Sequence, residues 1–312
     1  MFSVIFPGQG SQKLGMAKEF FDKFEIVKNI FKEADNILNI PLSKIIFEGP
    51  ETELNLTENT QPAIFLTSYA IFNVAKKEFG FAFDNTQFIA GHSLGEYSAL
   101  CCFDALNFEN TLKILKQRGK FMQEAVPANE GGMLAVLGTK LKIIEEIIDN
   151  NKHKCFIAND NSPQQVVISG LKNDINFFSE ELNKFKIKNI KLNVSAPFHC
   201  HLMKKATENM KDYIANLDLK EIKTPIISNF SAEPTVFTSD IKKLLISQIE
   251  GRVRWLESVE FMINKGTKNF IEIGPGKVLS GLVKRINKNI NTYSINNEKD
   301  IKEINLDVQF KK

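Results

Sequence analysis

The stretch FIAGHSLGEY, residues 88–97, sets a serine between two glycines, just after an apolar run and just before a helix-forming one. A Gly-x-Ser-x-Gly sequence in that position reads as a nucleophile elbow. The chain leaves a strand, turns sharply and enters a helix, and the small flanking residues remove the clash that the turn would otherwise create. Such an elbow constrains the whole fold, because a strand that feeds a helix in this way belongs to a parallel sheet with helices on its faces.

The remaining pattern agrees. SVIF, QFIAG, PIISN and NFIEIG read as short buried strands, and apolar residues at helical spacing predict helices over 16–38, 61–79, 94–103, 109–125, 201–217, 240–249, 255–265 and 277–286. Between Met133 and Val194 the rhythm changes to MLAVLG, LKIIEEIIDN, CFIAN, QQVVISG, NDINFFSEELNKF and NIKLNV. That βαββαβ order is the ferredoxin-like unit. The expected fold class is therefore α/β. Residues 1–127 and 196–312 would form a hydrolase-like large domain with a parallel sheet core, and residues 128–195 an inserted ferredoxin-like small domain. The lysine-rich sequence after Asn296 reads as a solvated end.

Composition narrows the function classes. With 312 residues, 43% hydrophobic and 25% charged, the chain has enough apolar material for a large core. Its 40 Lys and Arg against 37 Asp and Glu give a net of +3, too balanced to imply a nucleic-acid partner. The opening MFSVIFPGQG has no basic flank, and no apolar run approaches the roughly 18 to 20 residues of a spanning helix, so no membrane association and a cytoplasmic location are expected. Cys101, Cys102, Cys155 and Cys200 lack the spacing of a zinc or redox motif and read as reduced thiols, Cys200 as small buried filler.

A serine hydroxyl needs a base to take its proton. The chain has four histidines. His92 precedes the serine and should point to the other side of the turn, while His153 lies in a lysine-rich loop and reads as solvated. His199 and His201, in SAPFHCHLM at a strand-to-helix junction, are the remaining candidates. The residue after an elbow nucleophile ordinarily donates one bond to the oxyanion, which selects the Leu94 N–H. Arg118 is one of four arginines against 36 lysines, and a planar guanidinium is the side chain suited to gripping a carboxylate with two parallel bonds. GPGK after NFIEIG lacks the spacing of a phosphate loop and reads as a strand-to-helix turn.

FPGQGSQ, GHSLGEYSAL, RGKFMQEAVP, NSPQQVVISG, SAPFHC and EIGPGKVLSGL occur in that order over nearly the whole chain. Together they resemble the malonyl-CoA:acyl-carrier-protein transacylases, the loading enzymes of fatty-acid synthesis. The resemblance implies Ser93 as nucleophile, His199 rather than His201 as base, and the backbone carbonyl of Gln248 as the group that orients the histidine. The sequence EGRV after it stands where Asn-Pro is common in the family. The resemblance also implies an oxyanion hole from the N–H groups of Gln9 and Leu94, and Arg118 as the partner of the malonyl carboxylate. His92, Phe198, Asn159 and Asn161 would line the acyl and pantetheine channel. Malonyl-CoA would be the donor, acyl carrier protein the partner, CoA a product, and the enzyme a monomer with no cofactor and no metal. A serine hydrolase shares the elbow and base, but has no use for a buried arginine in its acyl pocket.

Overall fold

The computed structural model describes residues 1–127, 129–150, 154–194 and 196–304; the expectation for His153 lies outside the described residues. Every residue of β1 (Phe2–Phe6) is buried, as a central parallel strand requires. Its neighbours are β2 (Thr86–Gly91) and β9 (Asn269–Ile273), both parallel to it. With β7 (Ile226–Ile227), β8 (Pro234–Thr235) and β10 (Asn291–Ile295) they form a six-stranded sheet of order β10-β9-β1-β2-β7-β8, in which the β7–β8 pair is antiparallel.

Alternation along these strands divides the core in two. Val4, Phe6 and Ile89 face one side, packed with Phe20, Phe31 and Phe65. Ile5 and Ala90 face the other, against Trp255, Phe270 and Val283.

β3 (Gly131–Leu137), β4 (Cys155–Ser162), β5 (Gln165–Leu171) and β6 (Lys188–Lys191) form a separate antiparallel sheet of order β4-β5-β3-β6. With helices Leu141–Asp149 and Lys172–Lys184 this is the ferredoxin-like arrangement, with its own core of Leu134, Val136, Ile144, Ile168 and Phe178. The small sheet is tied to the rest of the chain by backbone bonds from β4 to Val253, which lies between helices Thr238–Glu250 and Trp255–Asn264. Val253 N–H donates to the Ala158 carbonyl at 2.8 Å, and Asp160 N–H donates to the Val253 carbonyl at 2.9 Å.

Two expectations are corrected. The helix expected over 16–38 is two helices, Lys18–Lys23 and Glu25–Leu38, separated by an extended Phe24 that joins the apolar core. The sequence after Asn296 is not simply a solvated end. It contains helix Glu298–Ile304, whose Ile301 and Ile304 are buried in the main core, while β10 adds an edge strand where no strand was expected. The burial of two isoleucines outweighs the polar composition around them.

Candidate active site

β2 ends at Gly91, and helix Gly95–Cys102 begins four residues later. The turn between them has no room for side chains on its flanks. A Cβ on Gly91 would lie 1.8 Å from the Gly95 carbonyl carbon, and one on Gly95 would lie 2.3 Å from the Phe6 carbonyl oxygen. Ser93 has φ 53°, a left-handed conformation that costs a non-glycine residue about 1 to 3 kcal/mol. Asn229, at the end of the neighbouring β7, holds this conformation in place: its Oδ1 accepts from Ser93 N–H at 2.7 Å and its Nδ2 donates to the Gly91 carbonyl at 2.7 Å.

Ser93 Oγ lies 2.8 Å from His199 Nε2, and His199 Nδ1 lies 2.8 Å from the Gln248 carbonyl oxygen. That carbonyl can only accept, so Nδ1 carries the proton and the Nε2 lone pair faces the serine hydroxyl. His199 is itself at φ 57° and buried. Burial, reinforced by the nearby Arg118 charge, pushes its imidazole down to about 3. The ring is thus neutral and free to receive a proton across the neutral pH range. His201 points elsewhere, with its ring exposed and edge-on to Phe156 at 4.3 Å. Cys200 is buried, and its Sγ–H donates to the Pro197 carbonyl.

Arg118 reaches the serine because helix Phe108–Gln123 approaches helix Thr57–Lys77 closely at Gly119, where a Cβ would lie 2.4 Å from the Thr57 carbonyl oxygen. Arg118 is only 1% exposed. Its Nη1 donates to Gln61 Oε1 at 2.8 Å, and its Nη2 donates to Gln248 Oε1 at 2.8 Å and to Ser93 Oγ at 3.1 Å. The Nε–H has no acceptor among the described residues. A cation at this distance favours negative charge on the serine oxygen.

Gln9, His92, Ser93, Leu94, Arg118, Asn159, Phe198 and His199 line one cavity of about 240 Å³, with Met122, Met133 and Val194 as apolar wall. The backbone N–H groups of Gln9 and Leu94 donate to no protein acceptor among the described residues, which leaves them available to an oxyanion. Phe198 packs beside the base, its carbonyl held by Ser169 Oγ at 2.6 Å. Two expected residues act from behind the wall. Asn161 bonds His92 Nε2 at 2.9 Å, and Gln248 contributes through its carbonyl and its amide.

Three residues of this arrangement were not singled out from the sequence: Gln61, Asn229 and Glu96. Glu96 is 2% exposed and accepts from Asn229 N–H and Gln248 Nε2. Burial pushes it up to about 8, against the pull of those two donors and of Arg118. A glutamate as the one charged residue of GEYSALCC, directly after the elbow, was the available signal. Among the described residues no group of three His, Cys, Asp or Glu is disposed to hold a metal ion, and no helix is long and apolar enough to cross a membrane.

An elbow serine, a neutral histidine held by a carbonyl, and two free N–H groups in one cavity define an acyl-transfer site. Residues 3–305 match the acyl transferase domain family, and the chain belongs to that family. It is 44% identical over 303 residues to the malonyl CoA-acyl carrier protein transacylase of Bacillus subtilis, covering 96% of this chain and 94% of the relative. The acyl-carrier-protein-S-malonyltransferase of Bartonella henselae superposes with a TM-score of 0.95 at 38% identity, covering 99% of both chains. A malonyl-transacylase solved in complex with its type II PKS acyl-carrier protein superposes with a TM-score of 0.92 at 36% identity, covering 96% of this chain and 97% of that one.

Proposed function

We propose that this chain transfers the malonyl group from malonyl-CoA to the phosphopantetheine thiol of acyl carrier protein, through a malonyl ester on Ser93. His199 Nε2 takes the Ser93 hydroxyl proton as Oγ bonds to the thioester carbonyl carbon. The Gln9 and Leu94 N–H groups hold the resulting oxyanion, the C–S bond breaks, and His199 returns the proton to the departing CoA sulfur. In the second half-reaction the carrier-protein thiol gives its proton to His199 and attacks the ester. The Ser93 O–C bond breaks, and the proton returns to Oγ. We read both halves as cofactor-free, and the enzyme as a cytoplasmic monomer with its small domain spanning 128–195.

The observation that carries the reading is the Arg118 guanidinium, buried beside Ser93 Oγ in a cavity with apolar walls. An acyl group with a carboxylate one methylene from its carbonyl places that charge within reach of the arginine. A lipid or simple thioester offers the cation nothing. In this reading Phe198 packs against the acyl α-carbon, while Asn159 and His92 form the channel wall and Asn161 holds His92 from behind it.

Labelled malonyl-CoA should leave label on the protein, Ser93→Ala should take none, and holo acyl carrier protein should discharge the label onto itself. Release as free malonate faster than transfer would make the chain a hydrolase.

A further inference from the structure

We propose that Glu96 is a positioning residue for acyl-group selection: together with the Ser93 carbonyl it holds the Gln248 side-chain amide where its oxygen meets Arg118. Glu96 does not line the cavity and touches no reacting atom. Its two oxygens meet two donors, the backbone N–H of Asn229 and Nε2 of Gln248. The first is main chain and cannot reverse its polarity. The second belongs to an amide that could turn over, and a carboxylate, which accepts and does not donate, holds its nitrogen side inward. Gln248 Nε2 also donates to the Ser93 carbonyl at 2.9 Å, so the oxygen end is left to Arg118 Nη2 at 2.8 Å. Glu96 and Arg118 are thus linked through one glutamine, whose own carbonyl separately holds His199.

Replacing the carboxylate by an amide of the same shape breaks this order. In Glu96→Gln the oxygen stays with the fixed Asn229 N–H, and the new NH2 faces Gln248 Nε2. The Ser93 carbonyl keeps the Gln248 nitrogen from turning over, so the amide relieves that clash by moving off the new NH2, which draws its oxygen away from the guanidinium. Arg118 loses an acceptor and shifts, while Ser93, His199 and the Gln248 carbonyl keep their places.

The inference rests on the reading of Arg118 as the carboxylate partner, and a double-mutant cycle tests the two separately. Glu96→Gln, Arg118→Ala and the double variant are assayed at pH 9, where Glu96 is ionised, with malonyl-CoA and with the neutral ester p-nitrophenyl acetate. Glu96→Gln should lower kcat/KM for malonyl-CoA about tenfold, mainly through KM, and leave the nitrophenolate burst within about twofold. In the Arg118→Ala background it should add less than about twofold. Equal losses on both substrates, or a loss for malonyl-CoA that adds in full to that of Arg118→Ala, would overturn the proposal. If Arg118→Ala alone slows both substrates equally, the reading of Arg118 is what fails. Should Glu96→Gln not fold, Glu96→Asp, too short to reach both donors, is read in the same way; failure of both to fold would make Glu96 a determinant of the fold and overturn its positioning role.

Discussion

The two sides of the cavity are held in place by different means. On the elbow side the backbone does the work: Gly91 and Gly95 leave no space for a side chain, and Ser93 is fixed at a left-handed φ. On the arginine side, side chains hold one another. Gln61 and Gln248 bond a guanidinium whose pKa burial pulls down, and Glu96 bonds Gln248 in turn. A sterically fixed turn fails all at once, whereas a hydrogen-bond network can be retuned one member at a time.

Substitutions can break that contrast, and the largest effect belongs to the backbone side. Gly91→Ala places a methyl 1.8 Å from a main-chain carbon, and should cost about 3 kcal/mol or more, read as loss of folded protein in denaturant titration. A variant with near-parental stability would show that the turn can relax. Next comes His199→Ala, expected to slow malonyl transfer about a hundredfold or more while His201→Ala stays within about twofold. A reversal of those two results would displace the base.

Arg118→Ala probes the network side. It should lower malonyl kcat/KM by about 2 to 4 kcal/mol in transition-state binding, and slow the burst with a neutral ester by clearly less, through the lost bond to the serine oxygen. Equal losses would make the arginine structural. The smallest effect concerns stability and pH. The folded His199 imidazole is pushed down to about 3, while in the unfolded chain it titrates near about 6.5. Between those values the unfolded state binds a proton that the folded state refuses, so this group's share of stability falls as pH falls through that window. His199→Gln cannot titrate, so its stability deficit against the parent should narrow from pH 7.5 to pH 5 in equilibrium unfolding. A deficit that widens would mean that the buried ring is protonated in the folded chain.

Legibility in the sequence followed the same division. The elbow could be read because its signature residues, Gly91, Ser93 and Gly95, lie within five consecutive positions. The βαββαβ order could be read because each of its elements has its own hydrophobic period. The base needed more: spacing left His199 and His201 equal, and the resemblance in SAPFHC separated them. Glu96, Gln61 and Asn229 were not legible because their partners are far away in the chain; Glu96 meets Gln248 152 residues on, and Asn229 meets Ser93 across 136. The helix Glu298–Ile304 was hidden by its lysines, since two buried isoleucines in a charged segment look like solvated coil until the surface that receives them is known.

The pair of backbone bonds at Val253 gives the molecule an early-warning property. Asn159 lines the cavity and Asn161 grips His92, and the strand that carries both is sewn to the inter-helix segment at Val253 through the flanking residues Ala158 and Asp160. A wall of the reaction chamber is therefore also the seam between two folding units with separate cores. On gentle heating, opening of that seam would disperse the chamber before either core melts, so catalytic failure should run several degrees ahead of the loss of helical signal. Catalysis then serves as a gauge of how firmly the inserted unit is attached.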